Sequence, residues 1–166
     1  MPACSSQVGV GVGVGFATSG FEHYKCGKCK ACDMVMDMRD VTYNHKNFFL
    51  QGHTNCNSTD VIYMLKCPCD LSSVGQTRQK VKARILQHCR IQCKAQREPL
   101  VEHFTNASHS PGKLRWVVLE KVTGNPAGRD ICALLNLREC KWIHLLDSVV
   151  NGLNRHKEIN KHVASF

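Results

Sequence analysis

The sequence predicts an α+β fold: a small three-stranded antiparallel sheet flanked by helices and preceded by an irregular cysteine-rich segment. Three observations carry this. Val61-Ile62-Tyr63-Met64-Leu65 is a β-branched, aromatic and apolar run, followed after a short break by a second extended stretch, Ser72 to Gln76. Two longer segments, Thr77 to about Lys94 and Asp130 to Leu146, place apolar residues at helical spacing. No βαβ rhythm joins these pieces, which argues against a parallel sheet.

Taken in order, residues 1–20 are a low-complexity leader. Val8 to Gly15 alternates valine and glycine, so one face of any strand there has nothing to pack. Residues 21–58 are the cysteine-rich segment. Residues 59–156 form the main domain, and 157–166 a polar tail. Lys66 to Leu71, with Pro68 and Asp70, turns the first strand into the second. Thr77 is positioned to cap the first helix, whose face carries Val81, Ile85, Cys89 and Gln92. A short helix is expected over Glu98 to Thr105, and a third strand over Leu114 to Val122. The last helix places Leu134, Leu135, Arg138, Trp142 and Leu145 at helical spacing. Asn151-Gly152 reads as a turn.

At 166 residues and 43% apolar content, the chain can bury a core without disulfides. No run of about 18 uncharged apolar residues occurs, so no membrane partner is expected. The net charge is +9. Acids and bases cancel over residues 1–60, so that charge sits in residues 61–166. An anionic partner is the first expectation. The 11 cysteines are odd in number and the first 20 residues lack the pattern of a signal peptide. We therefore expect a reducing compartment, nuclear or cytoplasmic rather than secreted.

Cys26, Cys29 and Cys32 in the run CGKCKAC, with Cys56 farther on, could complete a four-ligand zinc site; His45 or His53 could replace one of them. The alternative is a set of free, partly buried thiols. The first helix region is basic throughout, with Arg78, Lys80, Lys82, Arg84, Arg90 and Lys94 and no acid. Its N-terminus suits a phosphate. Arg84 and His88 are four apart and share one face, where arginine can fork phosphate oxygens and histidine can move a proton.

The ordered series Val61-Ile62-Tyr63, Val74-Gly75-Gln76-Thr77-Arg78, Arg84, His88, Leu137-Arg138-Glu139, Trp142-Ile143 and Gly152-Leu153-Asn154 resembles the GIY-YIG nuclease family. It is most similar to the type at the C-terminal end of Penelope-like retroelements, which also carry a cysteine cluster before the nuclease and a CPC-like turn, as at Cys67-Pro68-Cys69. The resemblance covers about residues 59–156. It implies a metal-dependent endonuclease that cleaves or nicks DNA. Tyr63 would help activate the water, Arg84 would stabilise the scissile phosphate, and His88 would follow one helical turn later. Glu139 would hold a single Mg²⁺ or Mn²⁺, and Asn154 would match the family's late asparagine. The partner it implies is nucleic acid, DNA in the first place, with no small-molecule substrate, and Arg78, Lys80, Lys82, Arg90 and Asn154 would contact it.

Two departures stand out. Val61 replaces the first glycine, and Ser73 stands where the family has a second tyrosine. A serine hydroxyl is far less acidic than a phenol of pKa about 10. The alternative is therefore a catalytically inactive, nucleic-acid-binding remnant of the same fold. A further alternative is a structural zinc protein whose cysteine segment does the recognising.

Overall fold

The computed structural model describes residues 22–36, 42–43, 46–47, 53–91, 99–124 and 130–155. The predicted leader, His45, Gln92, Lys94 and the polar tail lie outside them. The protein is α+β. A central antiparallel sheet has the order β6-β5-β7, from β5 (Val61–Lys66), β6 (Ser72–Thr77) and β7 (Arg115–Lys121). Helices α1 (Val81–Ile91), α2 (Pro99–Asn106) and α3 (Ile131–Leu145) accompany it. Two small pairings lie in the cysteine-rich segment: β1 (Glu22–Tyr24) runs parallel to β4 (His53–Asn55), and β2 (Thr42–Tyr43) pairs with β3 (Lys46–Asn47). No helix among the described residues is long and apolar enough to cross a membrane.

Strand β5 is central because its residues Val61 to Leu65 are all buried, which requires cover on both faces. Its turn into β6 closes when Cys67 N–H donates to Leu71 O at 2.8 Å, with Asp70 at a φ of 68°. A bulge interrupts the β5–β7 ladder: Ile62 pairs with Glu120 but Tyr63 with Val118, leaving Leu119 as the extra residue.

Both sheet edges are covered. Beside β7, Met36 N–H donates to Trp116 O at 2.9 Å, and the Trp116 indole N–H donates to Ala31 O at 2.8 Å. Beside β6, Leu153 N–H donates to Ser72 O at 2.8 Å. Next to it the Asn154 side chain imitates a strand. Its Oδ1 accepts from Val74 N–H at 2.8 Å and its Nδ2 donates to Val74 O at 2.9 Å. An edge strand that would otherwise expose its ladder groups is thereby closed. Gly152 is required in this turn, since a Cβ there would lie 2.5 Å from Ser72 O.

The cysteine-rich segment shares the core of the sheet. Ala31, Cys32, Met34 and Cys56 belong to the same buried cluster as Val61, Ile85, Trp116 and Leu135. Each large apolar side chain fully buried here contributes about 1.5–3 kcal/mol.

Four expectations about the helices are corrected. Helix α1 begins at Val81, so Arg78 and Lys80 precede it. Thr77 does not cap it; its Oγ1 accepts from Gln79 N–H at 3.1 Å, which forms a turn. The first helical N–H groups go instead to the chain before β5: Val81 N–H donates to Ser58 O at 2.9 Å and Lys82 N–H to Cys56 O at 3.1 Å. The N-terminus of α1 is therefore engaged internally and is not an open phosphate site. On α3, Asp130 accepts from Cys132 N–H at 3.0 Å and so caps the helix; Leu145, expected on the apolar face, is exposed, and Ile143 and Leu146 take the buried positions.

Candidate functional site

The structure brings three of the expected residues into contact. Tyr63 projects from β5 and is 2% exposed. Its hydroxyl lies 2.9 Å from His88 Nε2 and accepts from Arg84 Nε at 3.2 Å. Both partners come from α1, four residues apart, as one helical face requires. Arg84 also donates from Nη1 to Gln87 Oε1 at 3.0 Å, which fixes the guanidinium. Gly75, across the ladder from Tyr63, permits this arrangement. A Cβ on Gly75 would lie 2.7 Å from the Tyr63 hydroxyl. The phenol thus passes over the backbone of β6, and only a residue without a side chain lets it do so.

The next residue of β6 holds a second group. Gln76 Nε2 donates to Glu139 Oε2 at 3.0 Å and to Asn136 Oδ1. Gln76, Ile62 and Glu120 form one row across the sheet. Helix α3 lies along that row. At its other end Glu120 accepts from the Trp142 indole N–H at 2.8 Å and pairs with Arg138 at 3.3 Å. These contacts set the rotation of α3 and turn Glu139 toward β6. Consecutive strand residues face opposite ways, so the phenol group and the carboxylate are attached to the two sides of the edge strand at Gly75-Gln76.

The remaining expected residues fall elsewhere. Ser73 is half-buried and pairs with Leu65, two residues from Gly75. Lys80 and Arg90 are exposed and Lys82 is half-buried. Arg78 is exposed, with Nη1 3.2 Å from Cys132 Sγ and Nε 3.8 Å from Asp60. Asn154, expected at the nucleic-acid surface, is buried, and besides Val74 its Oδ1 accepts from Ser148 Oγ at 2.8 Å. Its observed role is to hold the edge of β6.

The four cysteines proposed as ligands converge. Cys26 Sγ lies 3.3 Å from Cys29 Sγ and 3.4 Å from Cys32 Sγ. Cys29 and Cys32 are 3.4 Å apart, and Cys32 and Cys56 3.3 Å. These distances exclude disulfides at about 2.05 Å. They suit thiolates around one tetrahedral zinc, whose ligands at about 2.3 Å stand roughly 3.8 Å apart. Burial opposes ionisation of Cys32, but hydrogen bonds from Cys56, Cys26 and Cys29 outweigh it and bring that thiol to about 6. Burial pushes Cys56 upward.

A second cluster joins Cys67, Cys69, His103 and His109, with all four ligand atoms within 4.8 Å of one another. The thiols come from the β5–β6 turn. His103 Nε2 lies 3.1 Å from Cys67 Sγ and 3.2 Å from Cys69 Sγ. His103 is on α2, and the chain reverses through Ser108, at a φ of 53°, to bring His109 against it. The rings of the two histidines are 5.3 Å apart. His109 Nε2 is buried with no hydrogen-bond partner among the described residues, an orphan that a metal would satisfy. Burial, then the neighbouring His109, lowers the pKa of His103, which favours the neutral imidazole that a metal needs. Burial leads in raising Cys67 to about 11. The sequence reading identified neither histidine as a ligand. The available signal was the coincidence of two short pairs, Cys67-x-Cys69 and His103-x5-His109.

No known protein family, curated protein or solved structure matches this chain.

Proposed function

We propose that this chain is a GIY-YIG-type endonuclease domain of retroelement origin, which cleaves or nicks DNA with the help of a divalent cation. The observation that carries the reading is the contact of Tyr63, Arg84 and His88. A buried phenol that accepts from a guanidinium and meets an imidazole nitrogen is poised to lose its proton to that nitrogen, because Arg84 stabilises the phenolate. Tyr63 then takes the proton of an attacking water. Arg84, held by Gln87, offers its remaining donors to the phosphate oxygens as charge builds on them.

Glu139 supports the metal half of the reading. It presents a carboxylate whose Oε2 is fixed by Gln76, beside the amide oxygen of Asn136. This all-oxygen donor set fits Mg²⁺ or Mn²⁺, which take one or two protein ligands and complete their shell with water. A cation held by Glu139 and Asn136 would supply positive charge to the leaving 3′ oxygen. Zinc fits the two sulfur-containing clusters and holds structure there.

A second reading, a catalytically inactive nucleic-acid-binding remnant, is favoured by Ser73, which puts a short hydroxyl where the family has a phenol. Duplex binding measured beside plasmid nicking separates the two. Nicking lost in both Tyr63→Phe and Glu139→Ala, with binding retained, supports the nuclease. Binding without nicking by the unaltered protein in Mg²⁺ and in Mn²⁺ establishes the remnant.

A further inference from the structure

The basic surface of this protein continues past α1. Along that helix, Lys82, Leu86 and Cys89 share one stripe by their spacing. That stripe meets the cysteine-rich segment at Cys89, whose Sγ lies 3.8 Å from Met34 Sδ, and the start of α1 is tied to the same segment by the bond from Lys82 N–H to Cys56 O. Arg84 and His88 occupy the other flank of the buried face, toward Tyr63. The first metal cluster is therefore built onto α1 on the side opposite the phenol.

Its sequence is distinctive in charge. Cys26, Cys29 and Cys32 turn inward, while the intervening and preceding positions Lys25, Lys28 and Lys30 are all exposed. None of the three lysines pairs with an acid among the described residues. Between residues 25 and 34 the only acid is Asp33. Solvation alone would accept either sign at these positions. Three cations carried on one folded loop suit a polyanion, because the backbone that presents them is formed before binding.

We propose that Lys25, Lys28 and Lys30 form a second phosphate-backbone contact for duplex DNA, set beside the contact made by the α1 region. The inference rests on the nucleic-acid reading above and extends it to the cysteine segment. A helix about 10–12 Å across separates the two flanks, and a duplex presents a phosphate charge about every 1.7 Å along its axis. One duplex lying over the exposed face of α1, past Lys80 and Arg90, reaches both. The contact positions the backbone and carries no base specificity.

The test is the salt dependence of binding to a fluorescent duplex, for the unaltered protein, for a triple Lys25→Gln/Lys28→Gln/Lys30→Gln variant, and for the corresponding triple arginine variant. Zinc content is measured in each. The glutamine variant is expected to bind more weakly, with a slope of log affinity against log salt shallower by about 2–3, while the arginine variant keeps the original slope. Lys25→Glu, which lies outside the ligand loop, answers the same question if the triple variant loses zinc, and its slope falls by about one. Unchanged affinity and slope in the metal-loaded variants overturn the proposal and leave the nucleic-acid reading standing. A flat salt response in the unaltered protein overturns both.

Discussion

The backbone N–H of Lys82 donates to the carbonyl oxygen of Cys56 at 3.1 Å, so the helix bearing Arg84 and His88 begins on a member of the cysteine cluster suited to zinc. Removing the metal should therefore reach the phenol site. We expect chelation, or Cys56→Ser, to lower the melting temperature and to abolish nicking. Circular dichroism and nicking of zinc-stripped protein, assayed after the chelator is removed and Mg²⁺ is restored, check this; nicking that survives complete metal removal from this cluster contradicts the coupling.

Gly75→Ala should disarm the site with little effect on the rest of the sheet. The new Cβ meets the Tyr63 hydroxyl at 2.7 Å, and the phenol is the part that can move. Nicking should fall to the level of Tyr63→Phe, on the order of 10²–10⁴-fold below the unaltered protein. Rates and thermal melts of both variants test it, and full activity in Gly75→Ala would place the working phenol elsewhere.

Asn154→Ala should act on stability and leave the DNA contact alone. It strands the Val74 N–H and C=O, while the Ser148 hydroxyl keeps its bond to Ile143 O at 3.4 Å. Each unsatisfied buried group costs about 1–3 kcal/mol, so the melting temperature should drop by on the order of 10 °C. At a temperature where the variant is folded, the salt slope of DNA binding should match that of the unaltered protein.

Two zinc ions per chain are expected. His109→Ala should reduce the count to one, because it removes a ligand from the second cluster only. Uptake there by metal-stripped protein should release protons: Cys67 rests near 11 without metal, so at pH 7 its thiol is protonated and must ionise to ligate. Zinc affinity should accordingly rise with pH through the neutral range. Metal analysis and calorimetry in buffers of different ionisation enthalpy measure both effects.

Local pattern made much of this fold legible. The run Val61 to Leu65 reads as a strand, and the hairpin followed from the turn chemistry of Pro68 and Asp70. Capping failed at α1 because tertiary structure supplied the acceptors: Cys56 O and Ser58 O took the N–H groups that Thr77 was expected to satisfy. Asn154 was misplaced for a similar reason. A late polar residue reads as surface, and nothing in its neighbourhood signals a partner at Val74, 80 residues earlier. The pairing of Cys67 and Cys69 with His103 and His109 likewise depends on how α2 meets the hairpin. Helix spacing placed Arg84 with His88, but the orientation of Glu139 toward Gln76 needed the fold.

The most direct test of the central claim is nicking of supercoiled plasmid by the purified protein with Mn²⁺, beside Glu139→Ala and Ser73→Tyr. The account predicts nicked circles from the unaltered protein, none from Glu139→Ala, and nicking at least as fast from Ser73→Tyr. Nicking by Glu139→Ala at the unaltered rate, or plasmid left intact by the unaltered protein while it binds that DNA, would contradict it.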